Sequence, residues 1–290
     1  MSDWRNKDYK ESFKSRGRIL PAVERALMRE TVIRNEGRDT LHLHPSEISK
    51  KNWCPRSSWY KIKGYPATEE SLSFQRLNIF AEGNAIHAKW QRWLHQAGLL
   101  SGLWECAHCV HRFYADAPNI CPSCFSDDLR YREVPITHED LHILGHSDGE
   151  IIDEQGRALI EIKSVGIGTV RWENPTLFNA YQSKELTIDG VWKNIKKPFS
   201  SHIRQGTIYM YCRKIDTMIY IYEWKPTQDV KEFIIEYQPE IMEPIIAGCQ
   251  QVVECLDGDT PPDRPAWSSI AHVDCKKCPY YKECWSASNS

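Results

Sequence analysis

A β-hairpin in the middle of the 290-residue chain is predicted to carry a small group of charged side chains. The two strands are predicted over GEIID and ALIEIKS, with a turn at EQGR between them. Because alternate residues of a strand point to opposite faces, Glu161 and Lys163 share one face while Ile160 and Ile162 share the other. Asp148 precedes the first strand, so the hairpin can place it beside Glu161. Two carboxylates with an adjacent ammonium suit Mg²⁺ or Mn²⁺ and the hydrolysis of a phosphate ester.

The same hairpin has a simpler interpretation. An aspartate followed by Glu-x-Lys occurs often by chance, and a surface hairpin with one salt bridge would give this pattern. The catalytic interpretation therefore depends on other segments that stand in order around the hairpin.

One of these segments is a long helix, predicted from about Glu69 to Gln96 and ended by Gly98. Within it, Gly83 and His87 lie four residues apart on one helix face. An isolated histidine in such a helix is more often a core residue than a ligand. A second predicted helix, from about Pro198 to Arg213, places Gln205 and Tyr209 on a shared face in the same way. Alone, that pair is typical of an ordinary helix surface.

The stretch between the hairpin and the second helix is predicted to be irregular over residues 165–197 and basic. From Lys163 to Arg204 it holds seven Lys or Arg residues against three acids, a net of +4. Such runs are usually solvated faces, but beside a phosphodiester site they favour contact with a nucleic-acid backbone. The predicted DNA-binding cations are Arg171, Lys193, Lys196, Lys197 and Arg204. The aromatic residues Trp172, Tyr181 and Trp192 are predicted to stack on bases.

Two cysteine pairs predict a zinc ribbon. They are CAHC, from Cys106 to Cys109, and CPSC, from Cys121 to Cys124, and paired knuckles of this spacing hold one tetrahedral zinc ion. His108 or His111 could replace one cysteine, and redox-active thiols are the alternative. A contact with DNA or a protein partner and a purely structural role remain equally open for the ribbon.

Three further cysteines, Cys275, Cys278 and Cys284, lie in the tail CKKCPYYKEC. A closed four-ligand site needs one more thiolate, and Cys54 is the natural candidate. Spacing alone leaves the metal open between zinc and an iron–sulfur cluster. Either would tie residue 54 to residue 275 and so close a very long loop.

Taken in order, these segments resemble the iron–sulfur RecB-like exonucleases of the PD-(D/E)XK nuclease superfamily, near the Cas-four family and the AddB C-terminal domain. The resemblance covers about residues 41–286. Its matching positions are Cys54-Pro55-Arg56 with Trp59 and Tyr60, Gly83 and His87, Asp148, Glu161 and Lys163, Gln205 and Tyr209, and the three tail cysteines. The ribbon and the N-terminal helices depart from the family pattern and leave the branch, the substrate and the partners open.

The resemblance implies an α/β core of the restriction-endonuclease type, with a mixed sheet flanked by helices. It implies that His87, Asp148, Glu161 and the carbonyl of Ile162 hold Mg²⁺ or Mn²⁺, that Lys163 orients the attacking water, and that Gln205 and Tyr209 line the site. It also implies a 4Fe–4S cluster on Cys54, Cys275, Cys278 and Cys284.

The implied activity is metal-dependent exonuclease cleavage of DNA, with single-stranded ends favoured, in recombination, repair or replication, in a phage or CRISPR setting among others. Two alternatives remain open. One is a structure-directed endonuclease within a larger complex, and the other is a catalytically silent subunit for DNA binding or assembly.

Composition limits these interpretations. The net charge of −2 argues against a uniformly basic surface, so nucleic acid would have to bind in a local groove. No apolar run is long enough to span a membrane, and the charged N-terminus lacks the apolar core of a signal peptide, so a soluble, cytoplasmic protein is expected. Protein partners could bind through the ribbon or the N-terminal helices.

Five segments are predicted. They are an N-terminal arm of two helices over 1–40, with the second from about Leu20 to Asn35; a part with Cys54 and the Gly-x-x-x-His helix over 41–100; the ribbon over 101–135; the nuclease core over 136–258; and the C-terminal iron–sulfur segment over 259–290.

Overall fold

The computed structural model describes residues 17, 19–36, 39–68 and 73–286. Helix α1, Leu20–Glu36, matches the second predicted N-terminal helix, whereas the first lies outside the described residues. The chain divides into a smaller unit, made of residues up to Asp39 with Glu69–Glu82, and a larger unit made of Thr40–Thr68 with Gly83–Ser290. Every candidate site residue belongs to the larger unit.

The remaining helices of the described residues are α2 (Pro45–Ile48), α3 (Pro55–Ile62), α4 (Phe74–Gln96), α5 (Ile167–Glu173), α6 (Pro175–Gln182), α7 (Ile188–Asn194), α8 (Ser200–Arg213), α9 (Pro239–Glu254), α10 (Val273–Lys276) and α11 (Tyr281–Ser286), with a 3-10 turn at Glu139–Leu141. Helix α4 starts within a few residues of its predicted start, and Gly98 follows it in the left-handed conformation expected of a helix stop. Among the described residues, no helix has the length and apolar character needed to cross a membrane.

The strands are β1 (Leu100–Cys106), β2 (Arg112–Asp116), β3 (Leu129–Arg132), β4 (Val134–His138), β5 (Ile143–Ser147), β6 (Gly149–Asp153), β7 (Gly156–Val165), β8 (Thr217–Trp224) and β9 (Val230–Glu236). A seven-stranded sheet has the order β2-β1-β6-β7-β8-β9, and β3 also pairs with β1. Strands β7 and β8 run parallel while the other pairs are antiparallel, so the predicted mixed sheet flanked by helices is confirmed. A second, two-stranded sheet joins β4 to β5.

The predicted hairpin is strands β6 and β7, and its alternation separates two apolar clusters. Ile160 and Ile162 pack with Ile86 and Trp90 of α4 on one face of the sheet. On the other face, Leu159 packs with residues of α8 and β8. The hydrophobic alternation of β7 thereby fixes Glu161 and Lys163 on the α8 side of the sheet.

Helix α8 lies unusually close to strand β8. A Cβ atom on Gly206 would lie 2.0 Å from the Tyr220 hydroxyl oxygen, so a residue with a side chain could not occupy this position without displacing the helix or the Tyr220 side chain. The approach places Gln205, the preceding residue, above the sheet near Lys163.

The prediction that residues 165–197 are irregular is wrong, because three short helices, α5, α6 and α7, occupy this stretch. Two of them carry ordinary start signals. The Asn174 side chain accepts a hydrogen bond from the Leu177 amide ahead of Pro175, and the Thr187 hydroxyl accepts one from the Gly190 amide.

Candidate active site

The core of the site is a contact between helix α4 and the start of strand β6. Nδ1 of His87 lies 2.9 Å from Oδ1 of Asp148. The other carboxylate oxygen of Asp148 accepts a hydrogen bond of 2.6 Å from the Ile162 amide, and the Gln91 side-chain amide donates to the Asp148 carbonyl at 3.0 Å. Asp148 is buried, so these bonds hold its side chain in one orientation.

The His87 imidazole is electrostatically tied to this carboxylate. Burial lowers the pKa of His87, but the hydrogen bond and the charge of Asp148 outweigh it and leave that pKa raised. Asp148 therefore favours the protonated form of the imidazole.

Glu133, at the junction of β3 and β4, is a site residue that sequence reasoning missed. Ligand atoms of His87, Glu133 and Asp148 all lie within 4.8 Å of one another, close enough to share one ion. Glu133 is exposed, yet the surrounding protein and the Asp148 charge raise its pKa. Nothing in the local sequence YREVP marks this residue, because only the packing of β3 against β1 brings it to the site.

Strand β7 brings the predicted Glu161 and Lys163 together on one face. Nζ of Lys163 donates to Oε1 of Glu161 at 2.5 Å and to Oε1 of Gln205 at 3.1 Å. Glu161 is buried and lies outside the group of His87, Glu133 and Asp148. The Ile162 amide donates to Asp148, and the role of the Ile162 carbonyl as a metal ligand stays a prediction.

The two residues predicted on α8 complete a chain of hydrogen bonds. The amide nitrogen of Gln205 donates to the Tyr209 hydroxyl at 2.6 Å, while its oxygen accepts from Lys163. This arrangement fixes which way the Gln205 amide points. Tyr209 is buried, and burial raises its pKa well above its usual range, so it stays a neutral phenol.

Two carboxylates of the site, Glu133 and Glu161, have raised pKa values. Burial raises the pKa of Glu161 to about 7, and Asp148 adds to this although Lys163 opposes it. Burial lowers the pKa of Lys163, but Glu161 and Asp148 more than offset it, so Lys163 remains a cation. The site thus offers three carboxylates and an imidazole, and two of the carboxylates have raised pKa values. This donor set fits a hard divalent cation.

A second element that the sequence did not predict anchors α4 to the sheet. The buried Glu223 carboxylate of β8 accepts bonds from Nζ of Lys89 at 2.6 Å and from the Trp90 indole at 2.7 Å. Lys89 and Trp90 are two and three residues after His87 in the same helix. Glu223 therefore helps to set the rotation of α4 that directs His87 toward Asp148.

The four cysteines of the predicted ribbon come together. Their sulfurs lie within 4.8 Å of one another, with 3.5 Å between Cys106 and Cys124 and 3.7 Å between Cys109 and Cys121. Sulfurs bound tetrahedrally to one zinc ion are about 3.8 Å apart. The Cys109 amide lowers the pKa of Cys106 to about 6, and so favours the thiolate that a metal requires.

Neither alternative ligand belongs to this group. The group comprises the four cysteines without His108 or His111, and the His111 ring stacks on Phe113. Strand β1, which carries Cys106, pairs with β6 at its other end, so the ribbon continues the main sheet.

The four cysteines predicted to hold the iron–sulfur cluster, Cys54, Cys275, Cys278 and Cys284, line one cavity of about 650 Å³. Burial raises the pKa of Cys54 to about 11, and the neighbouring Cys278 and Cys284 also raise it. Nε of Arg56 and Oγ of Ser268 line the same cavity and are buried without a hydrogen-bond partner among the described residues. Four thiols and two unsatisfied donors facing one cavity fit a metal group whose sulfides accept hydrogen bonds.

The predicted DNA-binding residues are placed differently from one another. Arg171, Lys193, Lys196 and Lys197 are exposed, whereas Arg204 is partly buried and donates from Nε to the Ser49 carbonyl at 2.8 Å. The prediction that Trp192 stacks on bases is wrong, because Trp192 is buried and stacks on Trp224 with ring centroids 5.4 Å apart. Tyr181 packs partly buried against the same core, and Trp172 is exposed.

The fold and site define a mixed α/β protein with a carboxylate, histidine and lysine cluster and two cysteine groups. No protein-family model matches the chain, and no curated protein matches its sequence. Among solved structures, that of SSO0001 aligns with a TM-score of 0.42 and 13% identity, over 91% of this chain and 95% of the other.

Two further similar structures are of one enzyme. The alkaline exonuclease LHK-Exo from Laribacter hongkongensis aligns with a TM-score of 0.42 and 13% identity, over 75% of this chain and 89% of the other. The same exonuclease in complex with dAMP aligns with a TM-score of 0.40 and 12% identity, again over 75% and 89%. Similarity at this level does not support an inference about function, so the proposal below depends on the site itself.

Proposed function

We propose that this protein hydrolyses DNA phosphodiester bonds with the help of a divalent metal ion, as an exonuclease of the RecB-like kind that acts on single-stranded ends. The observation that carries the proposal is the convergence of His87, Asp148, Glu161 and Lys163 on one place in the fold. These residues come from α4, the start of β6, and β7. A surface hairpin with one salt bridge would require neither the buried Asp148 nor the histidine beside it.

His87, Asp148 and Glu133, with Glu161 beside them, are the residues that would hold Mg²⁺ or Mn²⁺. When bound, such an ion polarises the phosphate and lowers the pKa of a bound water. Its charge would also oppose the effect of burial, which together with the charge of Asp148 raises the pKa values of Glu133 and Glu161.

Lys163 is held ready for the reaction by the protein. Glu161 and Gln205 fix its ammonium group from two directions, and its raised pKa keeps it charged at neutral pH. An ammonium in this position can donate a hydrogen bond to the attacking water and to the negative oxygens of the phosphate. Tyr209 contributes by orienting Gln205.

Hydrolysis makes one bond from the water oxygen to phosphorus and breaks one bond from phosphorus to a sugar oxygen. One proton of the attacking water is transferred, through solvent, to the leaving sugar oxygen, and the other stays on the new terminal phosphate or is released when that phosphate ionises. No oxidant, reductant or further substrate is required.

The direct test uses the purified protein with linear and circular single-stranded DNA of the same sequence. With Mn²⁺ or Mg²⁺ we expect shortening of the linear strand, no change in the circular one, and no cleavage in EDTA. Cleavage of the circle would instead favour the endonuclease alternative. A protein that binds both strands and cuts neither would overturn the proposal in favour of a silent DNA-binding subunit.

For the cofactors, we propose zinc in the ribbon and a 4Fe–4S cluster on Cys54, Cys275, Cys278 and Cys284. Two sulfurs on one zinc ion can be at most about 4.6 Å apart. Among the described residues, the four ribbon sulfurs all lie within 4.8 Å of one another. The sulfurs of Cys54, Cys275, Cys278 and Cys284 do not. A cluster of several irons and sulfides holds its thiolates farther apart than one ion does.

Metal analysis of protein purified without oxygen tests this assignment. We expect a brown protein with about four irons and about one zinc per chain. As a control, Cys212→Ser changes a cysteine outside both groups and should leave both metal contents unchanged. Colourless protein with two zinc ions per chain would contradict the cluster.

A further inference from the structure

Trp172 is a large aromatic side chain that the fold leaves exposed. Its side chain is 72% exposed, and it lies on α5, the helix that directly follows catalytic strand β7. Two cations flank the ring, with Arg171 5.4 Å and Lys277 5.7 Å from its centroid. An indole held between two cations in water offers both a stacking surface and positive charge.

The cavity that Trp172 lines has a basic boundary. Its two acids, Glu47 and Asp274, are outnumbered by six cations, a net of +4 in a chain whose overall charge is −2. The cations are Lys50, Lys51, Arg56, Lys61, Arg264 and Lys277.

Lys61 is paired with Glu47 at 2.5 Å, and the other five cations fall into two kinds. Arg56 and Arg264 donate to the backbone carbonyls of Pro262 and Cys284, and so help to build the cavity. Lys50, Lys51 and Lys277 have exposed side chains and lie where a ligand in solvent can reach them. The exposed lysines and Trp172 therefore form a surface at the cavity mouth, here called the Trp172 surface.

Helix α5, which carries Trp172, begins two residues after strand β7 of the candidate active site. Glu173, the residue after Trp172, accepts a hydrogen bond of 2.7 Å from Ser201 at the start of α8. Trp172 is therefore nine residues from Lys163 along the chain, on the helix that follows the strand carrying Lys163.

We propose that the Trp172 surface binds single-stranded nucleic acid on its way to the active site, with one base stacked on Trp172 and adjacent phosphates paired with Lys277, Lys50 and Lys51. The inference rests on the proposed hydrolytic function and names the path of its substrate. Stacking on an indole requires an unpaired base, since the base faces of a duplex are covered, which is why the occupant is a single strand. An aromatic ring flanked by cations matches a base flanked by its phosphates.

The test measures binding of a fluorescent single-stranded oligonucleotide by anisotropy in EDTA, where cleavage cannot interfere. Trp172→Ala should weaken binding about 5- to 150-fold, because stacking on an aromatic ring contributes about 1–3 kcal/mol per base. Trp172→Phe keeps a ring and should retain most of the affinity. Lys277→Gln should reduce the dependence of log K on log salt by about 0.7.

Two control variants match these changes. Trp93 is also exposed and lies 5.1 Å from a lysine, but it does not line the cavity, so Trp93→Ala should bind like the wild type. Lys282→Gln removes an exposed charge from the same C-terminal segment and should leave the salt dependence unchanged.

Wild-type affinity in Trp172→Ala, or an equal loss in Trp93→Ala, would overturn the proposed path. The two proposals fail separately. A protein that loses affinity on Trp172→Ala yet never cuts DNA would keep the path and lose the hydrolytic function. A protein that cuts DNA while Trp172→Ala binds normally would do the reverse.

Discussion

Replacement of Lys163 by methionine is expected to slow DNA cleavage at least about 10²- to 10³-fold, the effect of removing one group that stabilises developing charge in a transition state. Methionine keeps the length and the apolar stem of lysine but lacks the ammonium that Glu161 and Gln205 hold in place. Single-turnover cleavage of a linear strand measures the rate, and anisotropy in EDTA measures binding, which should change little.

The same substitution leaves the buried Glu161 without its cation, so its effect on folding must be separated from its effect on chemistry. Breaking a buried ion pair by removing one partner costs about 3–5 kcal/mol when the other stays charged. Burial already raises the pKa of Glu161, and loss of Lys163 removes the charge that opposed this. A folded-state pKa above the unfolded one means that Lys163→Met should lose stability as pH rises above the usual range of a glutamate.

The double variant Lys163→Met with Glu161→Gln serves as the control. It removes both charges, so in EDTA it should melt at a higher temperature than Lys163→Met and show less pH dependence, while cleavage stays abolished. Wild-type cleavage by Lys163→Met would contradict the assignment of the site.

The parts of the site that could be predicted have short-range signals. Alternation over β6 and β7 predicted both the hairpin and the face that carries Glu161 and Lys163, because a shift of one residue would place the charges in the apolar cluster against α4 in place of Ile160 and Ile162. Helix spacing likewise paired Gln205 with Tyr209. The knuckle spacing of the ribbon cysteines predicted their clustering, since two close turns bring four thiols together.

What the sequence did not reveal depends on contacts between distant segments. Glu133 reaches the site only because β3 pairs with β1 beside the sheet. Glu223 stands near the end of the apolar segment TMIYIYEW, and nothing nearby in the sequence explains a charge there. Its partner, Lys89, is 134 residues away along the chain. The helices that were not predicted, α5, α6 and α7, have seven or eight residues each, which is too short for a helical periodicity to appear in the sequence. Their capping residues Asn174 and Thr187 are nevertheless typical helix-start signals.

Replacement of Glu223 by glutamine is expected to destabilise the protein by about 3–5 kcal/mol, the range for breaking a buried ion pair. Glu223 is 1% exposed and Lys89 is 27% exposed, so the lysine left behind would remain partly desolvated without a countercharge. Urea unfolding in EDTA measures the free energy of unfolding. Glu232→Gln, an exposed change on the adjacent strand β9, is the matched control and should shift that energy by less than about 0.5 kcal/mol.

The anchoring role of Glu223 predicts more than lost stability. Loss of its bonds to Lys89 and Trp90 should let α4 rotate and draw His87 away from Asp148, so cleavage should fall further than the folded fraction alone explains. The variant Lys89→Met with Glu223→Gln tests this, because it removes both charges and should recover stability without recovering full activity. If the loss of activity follows the folded fraction in every variant, Glu223 has a structural role only. If Glu223→Gln is no less stable than Glu232→Gln, the ion pair does not hold α4 to the sheet.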